Sequence, residues 1–227
     1  MLLLVDAAPI LLFDFDGTTC LGDDPVLAYA HEVEKLLPAD EFGVIETELN
    51  AFLRGDRGSV FLDGYAAVAQ LVGDRCSLDD LAGCYLRSRE QLADGVLDVH
   101  APAGLADLLA GTDATAVLVT NAPDIGIDSV LGQLGLAQAF DHVVTDAAKP
   151  AGMRKMLSAA DIGERSVAAI GDIWINDLAV PHEFGYSTAY IDRFGRGDGD
   201  PTWRAVTPEA LIDELATWLE VSTGEQT

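Results

Sequence analysis

Positive charge is what this sequence has least of. Its 227 residues carry 13 Lys+Arg against 38 Asp+Glu, a formal net charge of -25 with a pI near 4.1. A field of that sign repels polyanions, so nucleic acid and anionic membrane surfaces are not expected as partners without a local basic patch. The basic residues are scattered, and the acidity reads as a solubility device. Cysteine is also scarce. Cys20, Cys76 and Cys84 form neither a paired framework nor a C-x-x-C metal motif, so reduced thiols in a cytoplasmic protein are expected. Cys20 is expected to pack rather than react. No apolar run is long enough to span a bilayer. The greasy start, MLLLVDAAPILLFDFDG, has no leading Lys or Arg and is interrupted by Asp6 and Pro9, which argues against a secretory signal. Repeats and low-complexity segments are missing too. What remains is the composition of a globular enzyme, 49% hydrophobic and 22% charged, long enough for one core with a small inserted domain.

Short apolar runs stand out against that background. Ile10 to Phe15 ends in acidic residues and Gly17; Ala116 to Val119 closes on Thr120-Asn121. His142 to Val144 precedes Thr145-Asp146, Val167 to Ile170 ends at Gly171-Asp172, and Thr188 to Ile191 ends at Asp192. Helical patterns alternate with them at Ile125 to Leu134, Gly152 to Ala160 and Pro208 to Leu219. The reading is an α/β fold: a Rossmann-like parallel sheet with helices on both faces, binding its ligand at the C-terminal strand edge. Residues 20–99 break the rhythm. Helical periodicity runs through Val26 to Leu37, Glu41 to Leu53, Val60 to Val72 and Leu78 to Leu92, with breaks at Pro38, Gly55 to Gly58 and Gly73-Asp74. We therefore expect a core built from residues 1–19 and 100–227, and a small all-helical domain from 20–99. Arg193 to Pro201, rich in Gly and Asp, reads as an exposed turn.

The strand ends carry the chemistry. Asp14 and Asp16, two residues apart beside Gly17-Thr18, place two carboxylates where burial is costly without compensation. A divalent cation is the usual compensation, and oxygen-only ligands suit magnesium. A tight Asp-Gly turn is the plainer alternative. Thr120, with the backbone N–H groups after it, can hold a phosphoryl oxygen. Lys149 is one of only three lysines, with Lys35 and Lys155. Asp172 and Asp177 add two carboxylates, although Asp177 could instead cap the helix that follows. Each signal is modest alone. Their succession at consecutive strand ends is what phosphoryl transfer requires: an activated nucleophile, cationic clamps and a charge-bridging metal.

In that order and spacing the sequence resembles the haloacid dehalogenase superfamily. Asp14 to Thr18 matches the family's D-x-D-G-T motif, Thr120-Asn121 its second motif, Lys149-Pro150 its third, and Gly171 to Asp177 its G-D-x-x-x-N-D motif. The resemblance implies a Mg2+-dependent phosphohydrolase acting on a small phosphorylated metabolite, with the helical insertion as a substrate-selecting cap. It implies that Asp14 attacks phosphorus to form an aspartyl-phosphate and that Asp16 serves as acid and base. Magnesium would sit on Asp14, the Asp16 carbonyl and Asp172, with Asp177 supporting directly or through water. Thr120, Asn121 and Lys149 would hold the phosphate. Dehalogenases of the superfamily resemble D-x-Y and phosphonate-cleaving members carry Ala at the second position, so Asp16 favours phosphate esters. Thr19 departs from the pattern, which usually shows Leu or Val there.

Other readings stay open. A phosphomutase would return the phosphoryl group to a substrate hydroxyl, and a non-catalytic binding protein could keep the fold without turnover. Arg54 and Arg57 could meet an anionic substrate group or simply line a solvated loop. His31, His100, His142 and His182 show no ligand spacing. Trp174 is expected to pack, at most reaching the rim of the site. The oligomeric state is not legible.

Overall fold

The structure, a computed structural model, describes residues 8–224 apart from 39, 57–60 and 161. Six strands form one sheet: β1 (Ile10–Phe13), β2 (Thr115–Val119), β3 (His142–Val144), β4 (Val167–Gly171), β5 (Ser187–Ile191) and β6 (Trp203–Ala205). Their order is β3-β2-β1-β4-β5-β6, and each neighbouring pair is parallel. The five expected strands are present. β6 was not expected, because three half-exposed residues on a sheet edge carry no apolar run. It pairs with β5 through Ala189, Tyr190 and Ile191.

The alternation of β1 shows both faces covered. Leu11 and Phe13 join Leu118, Ile170, Leu105, Val130 and Leu215 in one cluster. Ile10 and Leu12 join Val117, Val119, Met153, Leu157 and Val180 in another. Successive side chains of a strand point to opposite faces, so a strand buried on both reads as a continuous apolar run. The first cluster takes α5 (Leu105–Ala110), α6 (Ile127–Gln133) and α9 (Ile212–Thr223); the second takes α7 (Ala151–Ala159) and α8 (Ala179–Glu183). The short helices α5 and α8 are too brief for a periodic signal. No helix among the described residues is long and apolar enough to cross a membrane.

Between β1 and α5 the described residues form four α-helices: α1 (Asp24–Glu34), α2 (Phe42–Leu53), α3 (Gly64–Val72) and α4 (Leu78–Ala93). They bury a cluster of their own around Tyr29, Val33, Leu49, Phe52, Val68 and Cys84. Local chemistry starts two of them. The Asp63 side chain accepts from Ala66 N at 2.6 Å, and Ser77 and Asp80 form a reciprocal capping box. The chain enters and leaves this unit side by side, with Leu21 and His100 exchanging backbone hydrogen bonds of 2.8 and 3.0 Å. Residues 193–201 are largely exposed, as expected, but they also dock: Phe194 stacks on Phe52 of α2, with ring centroids 4.4 Å apart. Arg193 forks onto Asp23 at 2.8 Å through both terminal nitrogens, and Arg196 donates to the carbonyls of Phe61 and Leu62. Arginine and aromatic side chains, hidden among glycines in the sequence, dock the loop on the helical unit.

Candidate active site

The C-terminal edge of the sheet gathers the motif residues. Asp14 follows β1 directly, and its N–H donates to Ile170 of β4 at 3.0 Å. Lys149 reaches in from the loop after β3. Its Nζ donates to Asp14 Oδ1 at 2.5 Å, to Asp177 Oδ1 at 2.6 Å and to the Val119 carbonyl at 2.8 Å. Its own N–H donates to Asn121 Oδ1 at 2.6 Å, so the Asn121 side chain fixes the lysine loop. The Thr120 hydroxyl accepts from Ala122 N at 3.0 Å. Asp177 lies within a π-type turn (Trp174–Leu178), and its second oxygen accepts from Ile173 N at 2.9 Å. Two glycines make this crowding feasible. Gly17 has φ +79°, and a Cβ there would lie 2.5 Å from Asp172 Oδ2; one on Gly171 would lie 2.4 Å from Asp177 Cβ.

Asp14, Asp172 and Asp177 each present an oxygen within 4.8 Å of the others. Burial, with Asp177 nearby and against the pull of Lys149, pushes the Asp14 carboxyl up to about 7. Burial and the same two carboxylates hold Asp172 well above the ordinary range. Burial works against the Lys149 ammonium, but Asp14 and Asp177 outweigh it and raise its pKa. One cation is therefore shared among three carboxylates, and Asp172 Oδ1 is buried with no hydrogen-bond partner. An oxygen-only donor set with an orphaned carboxylate oxygen fits a hard divalent cation.

Sequence reasoning missed the residue that touches Asp16. Arg89 of α4 is fully buried, and its Nη1 donates to Asp16 Oδ1 at 2.7 Å. Its guanidinium lies 5.5 Å from the centre of the Phe15 ring. A signal existed. Leu81, Tyr85 and Arg89 follow one another at a spacing of four, with Leu92 beyond, so the arginine lies on the apolar stripe of α4. The helical unit also lines the cleft with Val26, Leu53, Asp63, Tyr65 and Tyr85, and the loop after β5 with Arg193 and Phe194. The cleft encloses about 240 Å³.

Arg54 and Trp174 lie outside the cleft, and Cys20 and Thr19 border it. Arg54 pairs with Asp56 on the surface at 3.0 Å and does not line the cleft; Arg57 lies outside the described residues. Trp174 packs against His182 and Tyr190 and is absent from the cleft wall. Cys20 both lines the cleft and packs in the core, where burial pushes its thiol up to about 12. Thr19, the departure from the family pattern, is buried, and its hydroxyl donates to the Asp14 carbonyl at 2.7 Å.

No family model matches the sequence, and no curated protein matches it. Solved structures do. A Bacillus subtilis protein, YfnB, assigned to the HAD hydrolases and bound to magnesium, is 19% identical with a TM-score of 0.60, over 93% of this chain and 98% of its own. This chain has the haloacid dehalogenase fold. A predicted phosphoglycolate phosphatase from Haemophilus somnus shares that fold at 12% identity, TM-score 0.61, over 93% of this chain and 99% of its own. An L-2-haloacid dehalogenase from Xanthobacter autotrophicus shares it at 14% identity, TM-score 0.54, over 92% and 99%. One fold thus hosts different reactions, and what this chain does rests on its own residues.

Proposed function

We propose that this chain is a cytoplasmic, Mg2+-dependent phosphohydrolase of the haloacid dehalogenase superfamily, cleaving a small phosphate monoester through an aspartyl-phosphate. The observation that carries this reading is the Lys149 ammonium bonded to both Asp14 and Asp177 beside the unpartnered Asp172 oxygen. Asp14 and Asp172, with the Asp16 carbonyl, would hold the cation, and Asp177 would support it while keeping Lys149 in place. When bound, the ion supplies positive charge against which the phosphate's negative charge is balanced.

The protein's own groups account for the rest. Asp14, held by Lys149, attacks phosphorus in line with the departing alcohol. Asp16 gives that alcohol a proton and then takes one from the attacking water. Lys149, Thr120 and the backbone N–H groups near Asn121 steady the non-bridging oxygens as charge moves onto them. The helical unit forms the roof over the cleft, a cap whose Val26, Leu53, Tyr65 and Tyr85 face the alcohol part of the substrate. A cleft of about 240 Å³ favours a small metabolite over a polymer. Asp16 in place of an aromatic residue separates this site from dehalogenase chemistry.

Hydrolysis of an aryl phosphate, with magnesium, with chelator and with Asp14→Asn, is the test. Release of free phosphate that needs both magnesium and Asp14 is expected, with Asp14→Asn lowering turnover by about 10³-fold or more. Phosphate release that survives the loss of Asp14 in a folded variant would sink the mechanism.

A further inference from the structure

Arg89 is buried inside the helical unit, yet among the described residues its well-formed hydrogen bond goes to Asp16, 73 residues away in sequence. We propose that Arg89 is a positioning residue for the reaction, holding the Asp16 carboxylate so that its free oxygen faces the scissile bond. This inference rests on the phosphate-ester reading above.

Four observations carry it. Arg89 grips only Oδ1 of Asp16; Oδ2 accepts no hydrogen bond among the described residues, and the Asp16 side chain, 30% exposed, opens on the cleft. Arg89 does not line the cleft, so it acts through Asp16 and does not touch substrate. The Phe15 ring beside the guanidinium adds a second point of contact with the chain segment that carries Asp16. The helix presenting Arg89 is tied to the sheet domain. One turn further on, Leu92 enters the sheet's own cluster, and the Ala93 carbonyl accepts from Ser129 Oγ at 3.1 Å and Gln133 Nε2 at 3.2 Å. Arg89 is therefore part of the frame that holds Asp14, although the helical unit supplies it.

Stability alone does not account for this side chain. Among the described residues its Nε and Nη2 and the Tyr65 hydroxyl are buried without a well-aligned hydrogen bond, although Tyr65 lies beside the guanidinium. An under-satisfied buried ion pair is commonly no better for stability than apolar residues of similar size. A fixed orientation is what such a pair provides to a proton-transfer group.

The chemistry that depends on that orientation balances as follows. The bond from phosphorus to the alcohol oxygen breaks as a bond from Asp14 to phosphorus forms, and the proton on Asp16 Oδ2 passes to the alcohol. Water then attacks phosphorus, the Asp14–phosphorus bond breaks, and the water's proton returns to Asp16 Oδ2.

The experiment compares two esters. Ethyl phosphate leaves as an alkoxide and needs the proton; p-nitrophenyl phosphate leaves as a stabilised phenolate and does not. In Arg89→Met, kcat/KM for ethyl phosphate is expected to fall by about 10²-fold, in the range general acid catalysis supplies. For p-nitrophenyl phosphate it should fall by less than about threefold, because kcat/KM reports only the steps through loss of the phenolate. Its kcat should fall further, since water activation still needs Asp16. Added to Asp16→Asn, Arg89→Met should cost nothing more. Arg89→Lys, which keeps the charge without the fork, should recover part of the ethyl phosphate loss, and it carries the same comparison if Arg89→Met does not fold. Equal losses on the two esters, no loss on either, or a further loss on top of Asp16→Asn would overturn the inference alone. Wild-type protein that hydrolyses neither ester would overturn the phosphate-ester reading and this inference with it.

Discussion

Lys149, from the sheet edge, has three ammonium protons and three acceptors for them: Asp14, Asp177 and the Val119 carbonyl, all within 2.8 Å. Arg89, from the helical unit, has five N–H donors and one accepting carboxylate, with Nε and Nη2 left without a well-aligned hydrogen bond among the described residues. Both cations are buried, and each holds a carboxylate of the first motif. The sheet edge has saturated its cation, so Lys149 is locked in one geometry and its removal exposes several charges at once. The helical unit has spent its cation on a single carboxylate. The first arrangement fixes where charge is neutralised, and the second fixes where one carboxylate points.

Lys149→Met strikes the saturated side and should do the most damage. Asp14 and Asp177 would lose the ammonium that bridges them. We expect turnover to fall by about 10²–10³-fold, as for loss of a charge-stabilising group. We also expect a loss of about 3–5 kcal/mol in stability, typical of breaking a buried ion pair. Phosphate-release kinetics and urea melts measure the two, and a variant with near-normal turnover would show that the saturated cation is only structural. Phe194→Ala strikes where the two regions meet. Losing the stack on Phe52 should cost about 1 kcal/mol of aromatic pairing and should speed tryptic cleavage at Arg54, just beyond Phe52 on α2. Unchanged cleavage would mean that this contact does not seat the helical unit. The smallest effect is expected at Cys20. With its thiol pushed up to about 12, almost none is thiolate at neutral pH, so iodoacetamide should label it in the native protein far more slowly than the half-buried Cys76. Rapid native labelling of Cys20 would show that the cleft floor opens.

The two regions also differ in how far the sequence reveals them. Sheet residues announce themselves because a strand buried on both faces needs an unbroken apolar run, and the polar residue ending that run stands out. Asp14, Thr120 and Asp172 were legible in that way, and Lys149 through the scarcity of lysine. In the helical unit the signal is a stripe, and a charged residue on it passes for part of the solvated face until the partner helices are known. Arg89 went unread for that reason. Asp63 and Tyr65 were equally silent: one looks like an ordinary N-cap, the other like core. The loop at 193–201 is exposed as its composition suggests, but its docking is not legible, because glycine and aspartate dominate its composition while Arg193, Phe194 and Arg196 decide its contacts. Chain-neighbour rules see the backbone preference of a segment, whereas docking depends on what lies 130 or more residues away.

The position of β1 at the centre of the sheet has a further consequence. Its ladders to β2 and β4 must both part before Asp14 can leave its place. Opening of that strand therefore approaches global unfolding in cost, whereas helices held to the rest by side-chain docking and not by ladder hydrogen bonds can fluctuate at a fraction of it. Backbone amides of β1 should be among the last to exchange with solvent deuterium, and those of α2 and α3 among the early ones. The nucleophile would then stand on the slowest-exchanging ground in the molecule, beneath a roof free to breathe.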